Sequence, residues 1–320
     1  MNTLLFIFQL LIVPALSPLG IGFIRKVKAR MQNRVGASVF QPYRDLWKLF
    51  QKDEVISEDA SWIFRFSPYL IFAITILIGA SIPVIAAVPV ALDFLPSFSF
   101  LPAGDFLVII YLFALMTFFL ALSGMDTGSA FGGFGSSREM MVAALAEAGL
   151  LFSLLAVSVT AESGNVVAMV GNLQYLPLQA LFPLLIAFLA FIIALLAENA
   201  RFPVDNPATH LELTMIHEAM ILEHSGKRLA LMEWAAANKL LIFILLAANL
   251  FFPWGVSLSY DSFSGLLVST LLVVGKSAIL LFGIAFLEST MAKFRIFRVP
   301  DLLLTSFVLG VIALAISITF

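Results

Sequence analysis

The chain has 320 residues, of which 61% are hydrophobic and only 12% charged. A soluble domain carries about twice that charged fraction, so these charges could not cover a water-facing surface, and lipid must be the solvent for most of the chain. With no cysteine and three histidines, disulfides, thiolate-held iron–sulfur clusters and a cysteine nucleophile are excluded within this chain. Haem binding is disfavoured, since no histidine lies in an apolar run.

A spanning helix needs roughly 20 apolar residues. Runs of that kind fall at about 3–24, 68–90, 104–123, 137–161, 179–198, 238–255, 264–288 and 301–320. The expected fold is all-α: one polytopic membrane domain over residues 1–320, with about eight transmembrane helices. Met1-Asn2-Thr3 puts no basic region before the first run, so no cleaved leader is expected. Pro14, Pro18, Pro83 and Pro183 fall inside runs, which lipid-buried helices tolerate when neighbours satisfy the freed backbone groups.

Basic residues fix the expected orientation. Segment 25–66 holds Arg25, Lys26, Lys28, Arg30, Arg34, Arg44, Lys48, Lys52 and Arg65. Segments 199–237 and 289–300 add Arg201, Lys227, Arg228, Lys293, Arg295 and Arg298, and Arg138 and Lys239 flank the same side. The alternate loops 91–103, 162–178 and 256–263 contain no Lys or Arg. The positive-inside rule makes the basic loops (about 25–66, 124–137, 199–237 and 289–300) cytoplasmic and both termini external. Within the first loop, Phe40, Tyr43, Leu46, Trp47 and Phe50 recur at helical spacing beside Arg44, Asp45, Lys48 and Lys52, an amphipathic helix for the interface or a partner.

Two charges lie deep in apolar runs. Glu147 sits in the fourth run, ~15 Å from its start, and Lys276 lies at similar depth in the seventh. A charge at the bilayer centre costs at least ~2.5 kcal/mol. Either the two neutralise each other and hold helices together, or Glu147 is an ion-relay carboxylate tuned by Lys276.

The densest segment is 197–226, AENARFPVDNPATHLELTMIHEAMILEHSG. Glu198 and Arg201 are three apart and can pair at the end of a span. Asp205, Glu212, Glu218 and Glu223 follow, interleaved with apolar residues. That interleaving suits a loop folded back onto the protein, carrying carboxylates to the membrane surface. His210, His217 and His224, seven apart, would share one face if a single helix spans them; a partner-facing stripe explains this better than a metal site. HEAMILEH lacks the HExxH spacing of a zinc protease. Segment 124–137, GMDTGSAFGGFGSS, matches neither a P-loop nor a dinucleotide fingerprint. Ser136 or Ser137 is expected to cap the next helix, with Glu139 in its first turn near Arg138.

AENARFPVD followed by ELTMIHEAMILEHSG resembles the cytoplasmic loop of the quinone-site membrane subunit of respiratory complex I (NADH dehydrogenase subunit 1). IRKVKARMQNRVG and QPYRDLWKLFQKDE resemble that family's first cytoplasmic loop. FFLALSGMDTGSAFGGFGSSREMMVAALAE is more similar to membrane subunits of group 4 [NiFe] hydrogenases, the formate hydrogenlyase and hydrogenase-4 component C type. The resemblance implies that Glu147 matches a fourth-span glutamate of a carboxylate path. Glu198, Arg201 and Asp205 match the AE..R..D motif, and Glu212 and Glu223 match later acidic positions. Arg34 and Asp45 match charges under a docking peripheral arm, with Arg44 and Lys48 alongside them. In this chain RVG runs directly into ASVFQP, and Ala208 and His210 stand where complex I has acids. Both departures touch the quinone chamber and favour the hydrogenase branch.

The expectation is therefore a non-catalytic anchor and ion-coupling subunit of a membrane-bound [NiFe] hydrogenase in the cell's inner membrane. Glu147, Glu198, Glu212, Glu218, Glu223 and Lys276 would form its relay. No redox cofactor or metal is expected in the chain. Nickel–iron and iron–sulfur centres would belong to the large, small and iron–sulfur subunits. Antiporter-like membrane subunits would be neighbours, and nucleic acid would play no part. The competing readings are a quinone-binding subunit of a complex I-like dehydrogenase, a free-standing ion transporter, and a purely structural anchor.

Overall fold

The computed structural model describes residues 2–84, 104–176, 178–206, 215–257 and 263–319, excluding the side chains of residues 2–9, 178 and 263. Eight helices are long and apolar enough to span a membrane, and among the described residues no strand forms. The spanning helices are α1 (Asn2–Met31), α3 (Trp62–Ser81), α4 (Phe106–Asp126), α5 (Ala130–Thr160), α7 (Leu181–Glu198), α9 (Gly226–Leu246), α10 (Phe263–Thr290) and α11 (Val299–Thr319). The short helices are α2 (Gln41–Phe50), α6 (Val166–Leu173) and α8 (His217–Ile221). The α5, α7 and α11 helices pack together, as do α1, α3 and α9. The α4 helix joins the two groups, and α10 lies chiefly on α1.

Several helix ends depart from the apolar runs, nearly all on the basic face. The α1 helix continues to Met31, while α3 begins at Trp62, α5 at Ala130 and α9 at Gly226. Each projects ~9–18 Å past the run that marks it. These projections form a collar in which helix backbone is covered by protein rather than lipid. The glycine-rich stretch expected to be a loop is mostly helix. Ser129 caps α5 by accepting from the Gly132 amide at 3.4 Å. Ser136 instead donates to the Ala121 carbonyl at 2.8 Å, and Glu139 lies three turns into the helix. Its glycines serve close packing: a Cβ at Gly132 would overlap the Gly124 carbonyl oxygen, and one at Gly135 would come 2.8 Å from Ala219 Cβ.

The prolines have specific compensations. Pro18 has no N–H to offer the Pro14 carbonyl one turn earlier. Trp234 Nε1 of α9 donates to that carbonyl at 2.9 Å, so the gap in α1 becomes an interhelical contact. Ser17 and Asn238 join the same seam at 2.6 Å, and Asn238 reaches Thr75 of α3 at 3.0 Å. Pro183 falls in the first turn of α7, where no donor is missed. Pro83 lies beyond the end of α3 rather than within it, and its carbonyl accepts from Asn249 at 2.6 Å. On the opposite face α6 was not expected. Asn165 caps it, accepting from the Val167 amide at 3.0 Å, and Val166, Met169, Val170 and Leu173 are buried.

Candidate functional site: a charged cavity in the helix collar

The collar encloses a cavity of about 640 Å³ between α1, α4, α5, α8, α9 and the ends of α7 and α10. Its apolar wall includes Ile21, Ile24, Met116, Leu120, Met232 and Leu240. Its charged wall contains Arg25, Lys28, Arg34, Glu139, Glu198, Arg201, Glu218, Glu233, Lys239 and Glu288, with His217 among them.

Two buried ion-pair systems organise these charges. At the end of α7, Glu198 accepts from Lys239 Nζ of α9 at 2.7 Å, and the other Glu198 carboxylate oxygen is buried without a protein partner. Such an oxygen suits an ordered water or a transferred proton. Lys239 also lies 5.9 Å from the centre of the Phe113 ring. At the end of α10, Glu288 is clamped between Lys28 at 3.2 Å and Arg201 at 3.1 Å. Lys28 in turn lies 4.8 Å from the Phe202 ring centre. One carboxylate thus ties α1, the 199–206 segment and α10.

Asp205 is buried but not in the cavity wall. It accepts from Lys293 at 2.5 Å and from the His217 amide at 3.3 Å, joining the segment after α7 to α8 and to the chain after α10. Arg138 donates to the Met215 carbonyl at 3.1 Å and fixes the start of α8. Burial pushes the His217 imidazole down to about 4; the Lys239 and Arg201 charges add to this and Asp205 opposes it.

The structure thus brings Arg34, Glu139, Glu198, Arg201, Glu218 and Lys239 to one cavity. Glu147 lies half-buried in α5, below the cavity wall and within electrostatic range of Glu198 and Lys239. Lys276 does not join it. Its ammonium donates to the Phe252 and Trp254 carbonyls at 2.8 and 3.3 Å. There it caps the far end of the α9 span, where a cation complements the helix dipole. The expected Glu147–Lys276 proximity is therefore corrected: α10 packs on α1 and α9, whereas α5 packs on α4, α7 and α11.

Glu223 is exposed at the rim, and Glu212 and His210 lie outside the described residues. The shared histidine face does not form, because α8 ends at Ile221. His217 faces the cavity, whereas His224 stacks on Phe64 with centroids 4.0 Å apart. Arg44 and Lys48 point outward from α2, away from the cavity, while Asp45 is half-buried and accepts from Gln41 at 2.8 Å. Among the described residues no group of three or more His, Cys, Asp or Glu could hold a metal ion.

Sequence reasoning missed Glu288, Glu233 and the pairing role of Lys28. A carboxylate closing an apolar run just before Lys293, Arg295 and Arg298 was the available signal for Glu288.

A family profile described as NADH dehydrogenase matches residues 2–319. Formate hydrogenlyase subunit 4 of Escherichia coli K12 is 31% identical over 300 residues, covering 94% of each chain. Hydrogenase-4 component C of the same organism is 31% identical over 95% of this chain and 92% of its own length. An NADH-quinone oxidoreductase membrane protein of Syntrophotalea carbinolica is 32% identical over 64% of this chain and 62% of its own. A chain of the membrane-bound sulfane sulfur reductase, an archaeal respiratory membrane complex, shares the fold, with a TM-score of 0.81, 21% identity and 99% coverage of both chains. By the extent of these matches and by its eight spans, the chain belongs to the NADH dehydrogenase subunit 1 family.

Proposed function

We propose that this chain is the membrane anchor and ion-coupling subunit of a membrane-bound [NiFe] hydrogenase of the formate hydrogenlyase type. The observation that carries the reading is the paired but half-satisfied Glu198 at the cavity wall, found in a chain similar to formate hydrogenlyase subunit 4 along 94% of both lengths. The basic face would be cytoplasmic, in the cell's inner membrane, and would dock the large, small and iron–sulfur subunits over the cavity mouth near Arg34. Redox chemistry in those subunits would alter the charge at the mouth. Glu218, Glu139 and Glu198 would pass that change to Glu147, and antiporter-like neighbours would move H⁺ or Na⁺. The chain would carry no redox centre itself.

The test is a tagged chain purified from its native host. A large subunit with paired CxxC nickel ligands should copurify, and Glu147→Gln should keep hydrogen turnover while abolishing ion movement. Copurification of an NADH-oxidising module instead, or unchanged ion movement in the variant, would overturn the reading.

A second reading has one observation in its favour. The cavity volume is within the range of small-molecule sites, about 300–1,000 Å³, and its wall is partly apolar. A quinone-like headgroup on an apolar tail would fit that chemistry. Retention of quinone by the purified complex, lost on Arg34→Gln, would favour it.

A further inference from the structure

We infer that the outward face of α2, together with the adjoining start of α3, is a binding site for anionic phospholipid headgroups. The outer face of α2 carries Phe40, Arg44, Trp47, Lys48 and Gln51, all exposed and spaced at i, i+4, i+7, i+8 and i+11. Trp47 is 67% exposed, too much for a side chain covered by its own protein. Pro42 and Leu46 are buried on the opposite face. Among the described residues neither Arg44 nor Lys48 makes an ion pair or a side-chain hydrogen bond. The outer face has no carboxylate, because Asp45 is turned inward.

The depth of α2 decides between lipid and a water-soluble partner. Tyr43 donates to the Ala15 carbonyl of α1. The Phe50 ring lies 6.1 Å from Trp234, which lies 4.9 Å from Phe72. Ala15 and Phe72 belong to the first two apolar runs, so α2 lies at the lipid boundary. A separate tier stands above it, where Arg228 pairs with Glu54 and His224 stacks on Phe64. The exposed carboxylates Asp53, Glu58 and Asp59 follow α2 in the loop that leads to this tier.

Next to α2, the first two turns of α3 expose Trp62, Arg65, Phe66 and Tyr69. Tryptophan and tyrosine concentrate at the headgroup level, and arginine and lysine beside them attract anionic lipid. A protein partner on the collar would meet the upper tier instead. The inference does not depend on which redox reaction the complex performs.

Full-length chain is purified from membranes containing phosphatidylglycerol and phosphatidylethanolamine, and bound lipids are counted by native mass spectrometry. An Arg44→Gln/Lys48→Gln variant should retain phosphatidylglycerol about 5- to 25-fold less than the wild type, at about fivefold per cation, with phosphatidylethanolamine unchanged. Equal phosphatidylglycerol retention would overturn the site. If the variant does not accumulate, Gln51→p-benzoylphenylalanine in otherwise wild-type chain supplies the second measurement in intact membranes. Photo-adducts with phospholipid support the site, and a crosslink to another polypeptide overturns it. Because binding is read directly, failure here is distinguishable from failure of the hydrogenase reading.

Discussion

At the scale of single residues, the Lys239–Glu198 pair sets the energetics of the cavity. Both side chains are almost fully buried and 2.7 Å apart. Removing one partner leaves an uncompensated buried charge and costs about 3–5 kcal/mol, whereas replacing both by apolar groups of similar volume is often nearly neutral. Lys239→Met should therefore lower the thermal midpoint of the detergent-solubilised protein sharply. Lys239→Met/Glu198→Leu should recover most of that loss. Additive effects in the double variant would show that the pair is not energetically coupled.

The buried histidines predict an acid limit to stability. Burial, with Arg228 adding, holds His224 down to about 4, and His217 is held at a similar value. An unfolded histidine titrates near 6.5. Between those values the unfolded chain binds more protons than the fold, so stability falls as pH drops from about 6.5 toward about 4. His224→Phe keeps a ring against Phe64 but removes one titration. Midpoints measured across that pH window should show a shallower slope for the variant. An unchanged slope would mean that His224 protonates freely in the fold.

At the scale of elements, the seam between α1 and α9 offers a sharper test. Trp234 donates to a carbonyl that α1 cannot satisfy because residue 18 is proline. Trp234→Phe keeps most of the ring but strands that carbonyl in an apolar interior, at about 1–3 kcal/mol. Pro18→Ala returns the missing N–H within α1. The double variant should therefore be more stable than Trp234→Phe alone, as read by thermal unfolding. A double variant no better than the single would place the cost in packing of the indole.

The elements themselves were legible where lipid dictates them. The eight apolar runs mark the eight spans, since only a helix satisfies its own backbone in hydrocarbon. The helix ends on the basic face were not, because hydropathy reads the solvent around a helix and not the helix. Gly226 to Trp234 and Ala130 to Ser136 are helical inside a protein collar, where glycine, serine and charge are tolerated. Gly132 looked like loop chemistry, yet it permits the close approach of α4 and α5.

At the scale of the whole molecule, five cations (Arg25, Lys28, Arg34, Arg201 and Lys239) face five carboxylates (Glu139, Glu198, Glu218, Glu233 and Glu288) across one cavity. That balance means that loss of any one carboxylate charge leaves the cavity net cationic. Glu147 and Glu198 could be singled out from the sequence because each stands in or at the end of an apolar run. The Glu288 clamp could not, since Lys28, Arg201 and Glu288 meet only when α1, α7 and α10 assemble. The clamp is also where the fold should loosen first if the cavity charge changes. Glu288→Gln preserves side-chain size but removes both ion pairs, leaving Lys28 and Arg201 facing each other. Hydrogen–deuterium exchange should then rise in 199–206 and 290–298, the segments held by Glu288 and by the Lys293–Asp205 contact behind it. The α5–α7–α11 group should keep its protection, because its contacts do not pass through Glu288. Uniform loss of protection would indicate a general stability defect. Unchanged exchange at 290–298 would show that the clamp does not hold the end of α10, and that a charge change in the cavity reaches the membrane by another route.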